Sequence, residues 1–393
     1  MEASLLVIGD EVVSGLVKEI NITLLSRILE KYGIKVRMGL CVRDHPDEIK
    51  KGLDVLMKQT ELVILTGGLG PTPDDITLKT VSEYFNLSLV ESPELLSSLP
   101  CKLRTQAMVP EGAEYFKNPY GTAPGFLIEK EKNRIILLPG VPSEAEAILP
   151  EILEYMGLKE EKIKVVIRTF EIPEVRILEV LSAVLSPQEI KGLSFLPGND
   201  GVRIWIKEGD VEDIRERIYD VLEDYIYGEG DETLEKVVGR MLKERGFTLA
   251  CAESCTGGLL MDLITNVPGS SEYFMGGIVS YSNESKIREL GVRRESLEKH
   301  GAVSEAVAKE MAQGVRELYG TDFGLSTTGI AGPTGGTGEK PVGLVWMGIS
   351  ARDGTRAQRR VFKGKRRDVK EKAVYFVLNM LRKYILDLER TSG

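Results

Sequence analysis

The chain has 393 residues, 42% hydrophobic and 28% charged, with a formal net charge of −9. That length exceeds one ordinary domain and calls for two or three, in a composition typical of globular proteins. The acidic balance argues against direct nucleic-acid binding. No apolar run reaches the roughly 18 residues of a membrane span, and the start, Met1-Glu2-Ala3-Ser4, lacks the basic region of a signal peptide.

The first part alternates strand and helix patterns: strand over residues 4–9, helix over 20–31, strand over 34–42, helix over 46–59 and strand over 61–66. Such alternation predicts an α/β fold with a parallel sheet covered by helices in three layers. A strand pair, 125–128 and 134–138, then leads through Pro139-Gly140-Val141-Pro142 into a helix over 143–155. Residues 162–170 and 201–207 alternate as half-buried strands, with helices over 175–185 and 211–226. This predicts a small α+β connector closed by a linker, Gly228-Glu229-Gly230-Asp231. The last part is again α/β: helix 234–244, strand 247–252, a further helix, strand 277–281, a helix capped by Ser304, strands 323–327 and 342–349, an edge strand 356–362 and a closing helix 368–388. The expected domains are residues 1–160, 161–232 and 233–393.

Acidic residues follow three of the N-terminal strands. They are Asp10 and Glu11, then Asp44, then Asp74 and Asp75 at the end of a turn containing Gly67, Gly68 and Gly70. Each alone is a cap or a turn residue. Grouped outside the carboxyl ends of parallel strands, where open sheets bind ligands, they form an oxygen donor set for Mg²⁺ or Mn²⁺. The loop Asn118-Pro119-Tyr120-Gly121-Thr122 is a further candidate lining of that pocket.

In Ala252-Glu253-Ser254-Cys255-Thr256-Gly257-Gly258, a strand pattern turns into a helix pattern. Ser254 and Cys255 are the candidate nucleophiles, with free N–H groups expected at the helix start near Thr256 and Gly257. With only His45 and His300 in the chain, a Ser-His-Asp triad has little to draw on. Tyr281 and Lys286 offer a base instead, since a partly buried lysine loses proton affinity and a Ser–Lys pair is a known form of nucleophile activation. The Gly-rich stretch 328–338, with Gly329 and Gly332, offers N–H donors to a phosphate. Cysteines 41, 101, 251 and 255 lack CxxC spacing, which points to a reducing cytoplasm without disulfides or zinc. The nine basic residues within 356–372 read as a solvated edge strand and helix start.

Over nearly its whole length the sequence resembles the CinA family (competence/damage-inducible protein A). The N-terminal resemblance rests on Gly9-Asp10-Glu11-Val12-Val13-Ser14-Gly15, on Thr66-Gly67-Gly68-Leu69-Gly70-Pro71-Thr72-Pro73-Asp74-Asp75-Ile76-Thr77 and on Leu138-Pro139-Gly140-Val141-Pro142-Ser143-Glu144. These look like the family's molybdopterin-binding-like domain. The turn 252–258, Tyr281-Ser282-Asn283-Glu284 and Gly329-Ile330-Ala331-Gly332-Pro333 resemble its nicotinamide mononucleotide (NMN) deamidase domain.

The resemblance implies hydrolysis of NMN to nicotinate mononucleotide and ammonia. Ser254 would be the nucleophile, Lys286 the base and Tyr281 their support, with Arg366, or its neighbour Arg367, as the binding arginine. Lys365 stands where the family more often has an acid, and Arg43 where it often has a small residue before Asp44. No cofactor is implied for the deamidase. The N-terminal domain would cleave ADP-ribose with a divalent cation (Mg, Mn or Co), with K⁺ as a further ion. A cytoplasmic homodimer, binding no membrane, is expected. The alternative is a non-catalytic N-terminal domain that binds molybdopterin or a nucleotide, within an adaptor for competence or DNA repair.

Overall fold

The computed structural model describes residues 1–99, 104–160 and 165–392. The chain divides into two compact units, Met1–Ile163 and Lys164–Gly393.

The strands of the first unit are β1 (Glu2–Ile8), β2 (Lys35–Val42), β3 (Leu62–Thr66), β4 (Leu89–Glu91), β5 (Met108–Pro110), β6 (Glu114–Phe116), β7 (Gly125–Lys130) and β8 (Asn133–Leu138). Six of them form one sheet in the order β2-β1-β3-β8-β7-β6, while β4 and β5 pair as a separate ribbon. The pairs from β2 to β8 are parallel, and β7 and β6 extend the sheet antiparallel. All five residues of β3 are buried, as a strand covered on both faces requires. Alternate residues feed two cores. Leu5, Ile64 and Ile136 pack with the helices Asn21–Lys31 and Pro142–Tyr155. Leu6, Val63 and Leu137 pack with Pro46–Leu56 and Thr77–Tyr84. The last of these helices is absent from the sequence reading because its buried face carries Thr77, Thr80 and Ser82 beside Val81, which weakens the apolar period.

The second unit holds two sheets. Strands β9 (Val166–Thr169), β10 (Leu193–Gly198), β11 (Gly201–Ile206) and β12 (Ile226–Glu229) form an antiparallel sheet in the order β10-β11-β9-β12. The expected linker at 228–231 is in part a strand, since Gly228 and Glu229 pair with Arg168 and Ile167. Of the expected strand at 162–170, residues 162–164 lie outside the described residues. Strand β10 escaped the sequence reading because its last residues, Pro197 and Gly198, read as a turn.

The other sheet contains β13 (Leu249–Glu253), β14 (Phe274–Val279), β15 (Phe323–Gly329), β16 (Leu344–Ala351) and β17 (Gly354–Val361), ordered β14-β13-β15-β16-β17. Strands β14, β13 and β15 are parallel, and the last two antiparallel. The expected basic edge strand is thus β17. Cys41, Cys251 and Cys255 are free, and Cys101 lies outside the described residues. Among the described residues, no helix is long and apolar enough to cross a membrane.

Gly67 shows how tightly the end of β3 is built. Its N–H donates to the Leu138 carbonyl at 3.2 Å, its φ is +107°, and a Cβ there would lie 2.1 Å from the Ile8 carbonyl oxygen. Gly15 also has positive φ, +75°, but open space around it. Gly67→Ala should therefore lower the stability of the first unit by roughly 1–3 kcal/mol, and more than Gly15→Ala, whose cost is backbone strain of about 1 kcal/mol. Urea denaturation of the two full-length variants checks this, and equal losses would refute the packing argument.

Two candidate functional sites

The first unit has a cavity of about 660 Å³ at the carboxyl ends of its parallel strands. Of the residues expected there, Glu11, Asp44, Gly67, Gly68, Gly70, Asp74, Asp75, Gly121, Thr122, Pro139 and Gly140 line it. A Cβ on Gly68 would lie 2.3 Å from Thr77 Oγ1 and 3.4 Å from Asp44 Oδ1, so only glycine lets the turn approach those groups. Two expected residues stand outside the lining. Asp10 starts a short helix, Asp10–Val13, and its N–H donates to Asp44 Oδ2 at 2.8 Å. Asn118 folds its own loop: its side-chain oxygen accepts from the Tyr120 and Gly121 N–H groups, and its Nδ2 donates to Ala123 O and Glu144 Oε2.

Burial pushes the Asp44 carboxyl above its ordinary range; the Asp10 N–H opposes this, while the charges of Glu11, Asp10 and Asp74 add to it. Asp75 is partly spent on the Thr72 N–H and hydroxyl. Among the described residues no three His, Cys, Asp or Glu side chains converge on one ion position. The all-oxygen set still fits Mg²⁺, which commonly takes one or two carboxylates and completes its shell with water and substrate phosphate. The sequence reading missed Asn21, Gln106 and Glu144, which also line this cavity. Asn21 Nδ2 donates to the Gly140 carbonyl at 2.9 Å. Its Oδ1 and both amide atoms of Gln106 are buried without a partner. Each comes from a different stretch of chain, so no local pattern reports it.

The second unit has a cavity of about 270 Å³ lined by Ser254, Cys255, Tyr281, Lys286, Gly329, Gly332 and Arg366, among others. Ser254 follows β13 directly, and its N–H donates to the Thr327 carbonyl at 2.9 Å. Ser282 caps the helix Asn283–Leu290 by accepting from the Ser285 N–H, which turns Lys286 inward. Lys286 is 1% exposed. Its Nζ donates to Ser254 Oγ at 3.0 Å and to the Ser280 carbonyl at 2.6 Å. Burial lowers its pKa from the ordinary lysine value, against a small opposing effect of Cys255. Cys255 is pushed up to about 12, mainly by burial, so its thiol stays protonated.

Three expected contacts fail. At the start of the helix Leu259–Thr265 the fully buried Glu253 carboxylate accepts from the N–H groups of Gly258 and Met261, both at 2.9 Å. Thr256 and Gly257 do not line the cavity. Thr256 is fully buried and shares a hydrogen bond with Thr327 Oγ1 at 2.6 Å. Asn283 also lies outside the lining, where it begins the Lys286 helix.

Arg366, and not Arg367, reaches the cavity. Its guanidinium donates to the Gly332 carbonyl at 2.8 Å and to Tyr281 Oη at 3.2 Å, whereas Arg367 pairs with Glu371. In the Gly-rich loop the N–H groups of Ala331, Gly332, Thr334 and Gly335 have no hydrogen-bond partner among the described residues. Thr328, Ile330, Ala331, Thr334 and Gly335 of the Gly-rich stretch also line it, and Ala302 and Val303 complete the wall beyond the stretches singled out from sequence.

Residues 4–157 match the family model described as a probable molybdopterin binding domain, and residues 231–385 match the CinA C-terminal domain. A CinA-like protein of Kosmotoga olearia is 38% identical over 413 residues, spanning 99% of this chain and 100% of the relative. A CinA-like protein of Thermotoga maritima is also 38% identical, over 99% of each chain. The solved competence/damage inducible protein CihA of Agrobacterium tumefaciens is 38% identical over 38% of this chain and 92% of its own, with a TM-score of 0.37. With full-length relatives at this identity, the chain belongs to the CinA family.

Proposed function

We propose that the Ser254–Lys286 site hydrolyses the carboxamide of NMN to nicotinate mononucleotide and ammonia. The observation that carries this is the buried Lys286 Nζ at 3.0 Å from Ser254 Oγ. Neutral Lys286 takes the hydroxyl proton as Ser254 attacks the carboxamide carbon, giving a tetrahedral oxyanion. The Ser254 N–H is spent on Thr327, so the Cys255 N–H, next after the nucleophile, is a donor the turn offers. The tetrahedral centre collapses to an acyl-enzyme as the proton passes to departing ammonia. Water activated by the same lysine then releases the acid. The free N–H groups of 331–335 suit the 5′-phosphate, and Arg366 shapes the wall between them and Tyr281.

In the first unit the proposal is cleavage of the diphosphate of ADP-ribose. A divalent cation there would be held by Asp44 with Glu11 or Asp74, and would polarise the phosphoryl group. The lack of three converging side chains among the described residues keeps a second reading in play, a non-catalytic site that binds molybdopterin or a nucleotide.

Ser254→Ala should abolish ammonia release from NMN. Cys255→Ala should retain most of it, and Lys286→Met should lower kcat by about 10²–10⁴-fold. Full activity in Ser254→Ala would sink the assignment. Because the active base is neutral and its pKa is lowered from 10.5, kcat/KM should rise with pH through a midpoint below that value. A pH-independent rate from 6 to about 10 in the wild type would count against Lys286 as base. EDTA should stop ADP-ribose cleavage and leave NMN hydrolysis intact. ADP-ribose bound but never cleaved, with Mg²⁺, Mn²⁺ or Co²⁺ present, would favour the binding reading.

A further inference from the structure

The antiparallel sheet β9–β12 has no part in the chemistry above, yet its hairpin tip touches the helix that carries Arg366. That helix, Arg366–Ser392, begins with Arg366 as its first residue. Its third residue, Asp368, reaches back so that Oδ2 accepts from the Lys365 N–H at 2.8 Å, half of a reciprocal helix cap. On the side of Asp368 away from that bond sits Asn199, at the turn between β10 and β11. Asn199 Nδ2 donates to Asp368 Oδ1 at 3.2 Å and to Glu371 Oε2 at 2.7 Å. The Lys365 N–H and then Asn199 hold the Asp368 carboxyl below its ordinary range, so these bonds run to an ionised acceptor and are of the stronger kind.

The hairpin is itself anchored. Gly201 has φ +112°, and a Cβ there would lie 1.9 Å from the Thr169 carbonyl oxygen. Asp200 pairs with Arg168 of the central strand β9, and the Arg168 Nε donates to the Gly230 carbonyl at 2.7 Å. The same small sheet grips the helix a second time. Glu171, with φ +62°, accepts from Asn379 Nδ2 at 2.9 Å and Lys383 Nζ at 2.7 Å. Asn379 lies eleven residues beyond Asp368, about 16 Å along a helix. The helix already packs into the core through Val369, Ala373, Val377 and Leu381; two polar grips at that separation fix what this packing leaves free at its first turn, from which Arg366 projects.

We infer that Asn199 is a positioning residue for the deamidase site: by holding Asp368 and Glu371 it sets the first turn of the helix and so aims Arg366 at Gly332 and Tyr281. The small sheet is then a working part of that site. This rests on the NMN reading for its kinetic test, but the placement of Arg366 can be read without substrate.

The variants are made in the full-length chain. Asn199→Asp keeps the shape and sets a carboxylate against two others, and Asn199→Ala only removes the donor. Asn199→Asp should raise KM for NMN about tenfold, on the scale of one charge-assisted hydrogen bond, with kcat within twofold; Asn199→Ala should do less. Added to Arg366→Ala, neither should raise KM further, because a residue acting through Arg366 has nothing left to aim. Independent of turnover, amide exchange in 364–370 and 328–336 should quicken in Asn199→Asp. Additive effects on KM, or unchanged exchange in 328–336, would overturn the inference. If the wild type releases no ammonia from NMN, the NMN reading falls, and the exchange comparison alone decides the clamp.

Discussion

Everything in the second unit's site depends on one buried amine. Lys286 is almost wholly sealed, and both of its hydrogen-bond partners are neutral oxygens, Ser254 Oγ and the Ser280 carbonyl. A cation held this way is penalised by desolvation with no carboxylate to offset it. Burial thereby lowers the amine's affinity for a proton, in the direction a base needs. The surroundings serve the same end. The Ser280 N–H donates to the Glu253 carbonyl, and the Ser254 N–H to Thr327, so β13, β15 and the end of β14 together hold the serine and the lysine's acceptor in register.

Glu253 shows why the turn has its shape. Its carboxylate satisfies two N–H groups at the start of the following helix, and charge of that sign suits a helix N-terminus. Those two N–H groups are therefore satisfied from within the chain. Positive potential in the cavity comes from Arg366, from Lys286 when protonated, and from the loop N–H groups. The two cavities thus differ in kind: a glycine turn among carboxylates lines the first, and N–H groups beside an arginine line the second.

Much of this was legible in the sequence. The strand–turn–helix pattern around Ser254 and the serine cap before Lys286 are local signals, and local signals place a residue at the end of a strand or on the first turn of a helix. The choice between Arg366 and Arg367 was not legible, since neighbours on a helix point about 100° apart and only packing settles which faces the cavity. Thr256 and Gly257 were expected at the cavity wall but stand outside it, because the turn carries the chain past Ser254 and buries Thr256 against Thr327. Asn21 and Gln106 were missed because their nearness is tertiary. The connector's linker was misjudged because glycine and acid at 228–231 read as coil, whereas Gly228 and Glu229 close a sheet edge.

Cys255 sits beside the nucleophile but is buried and holds its proton, its pKa pushed up to about 12. Peroxides and alkylating agents attack thiolates, and this sulfur keeps its proton although it borders the cavity. On the proposed reading, with Ser254 as the nucleophile, the sulfur next to it is thus kept in its least reactive form.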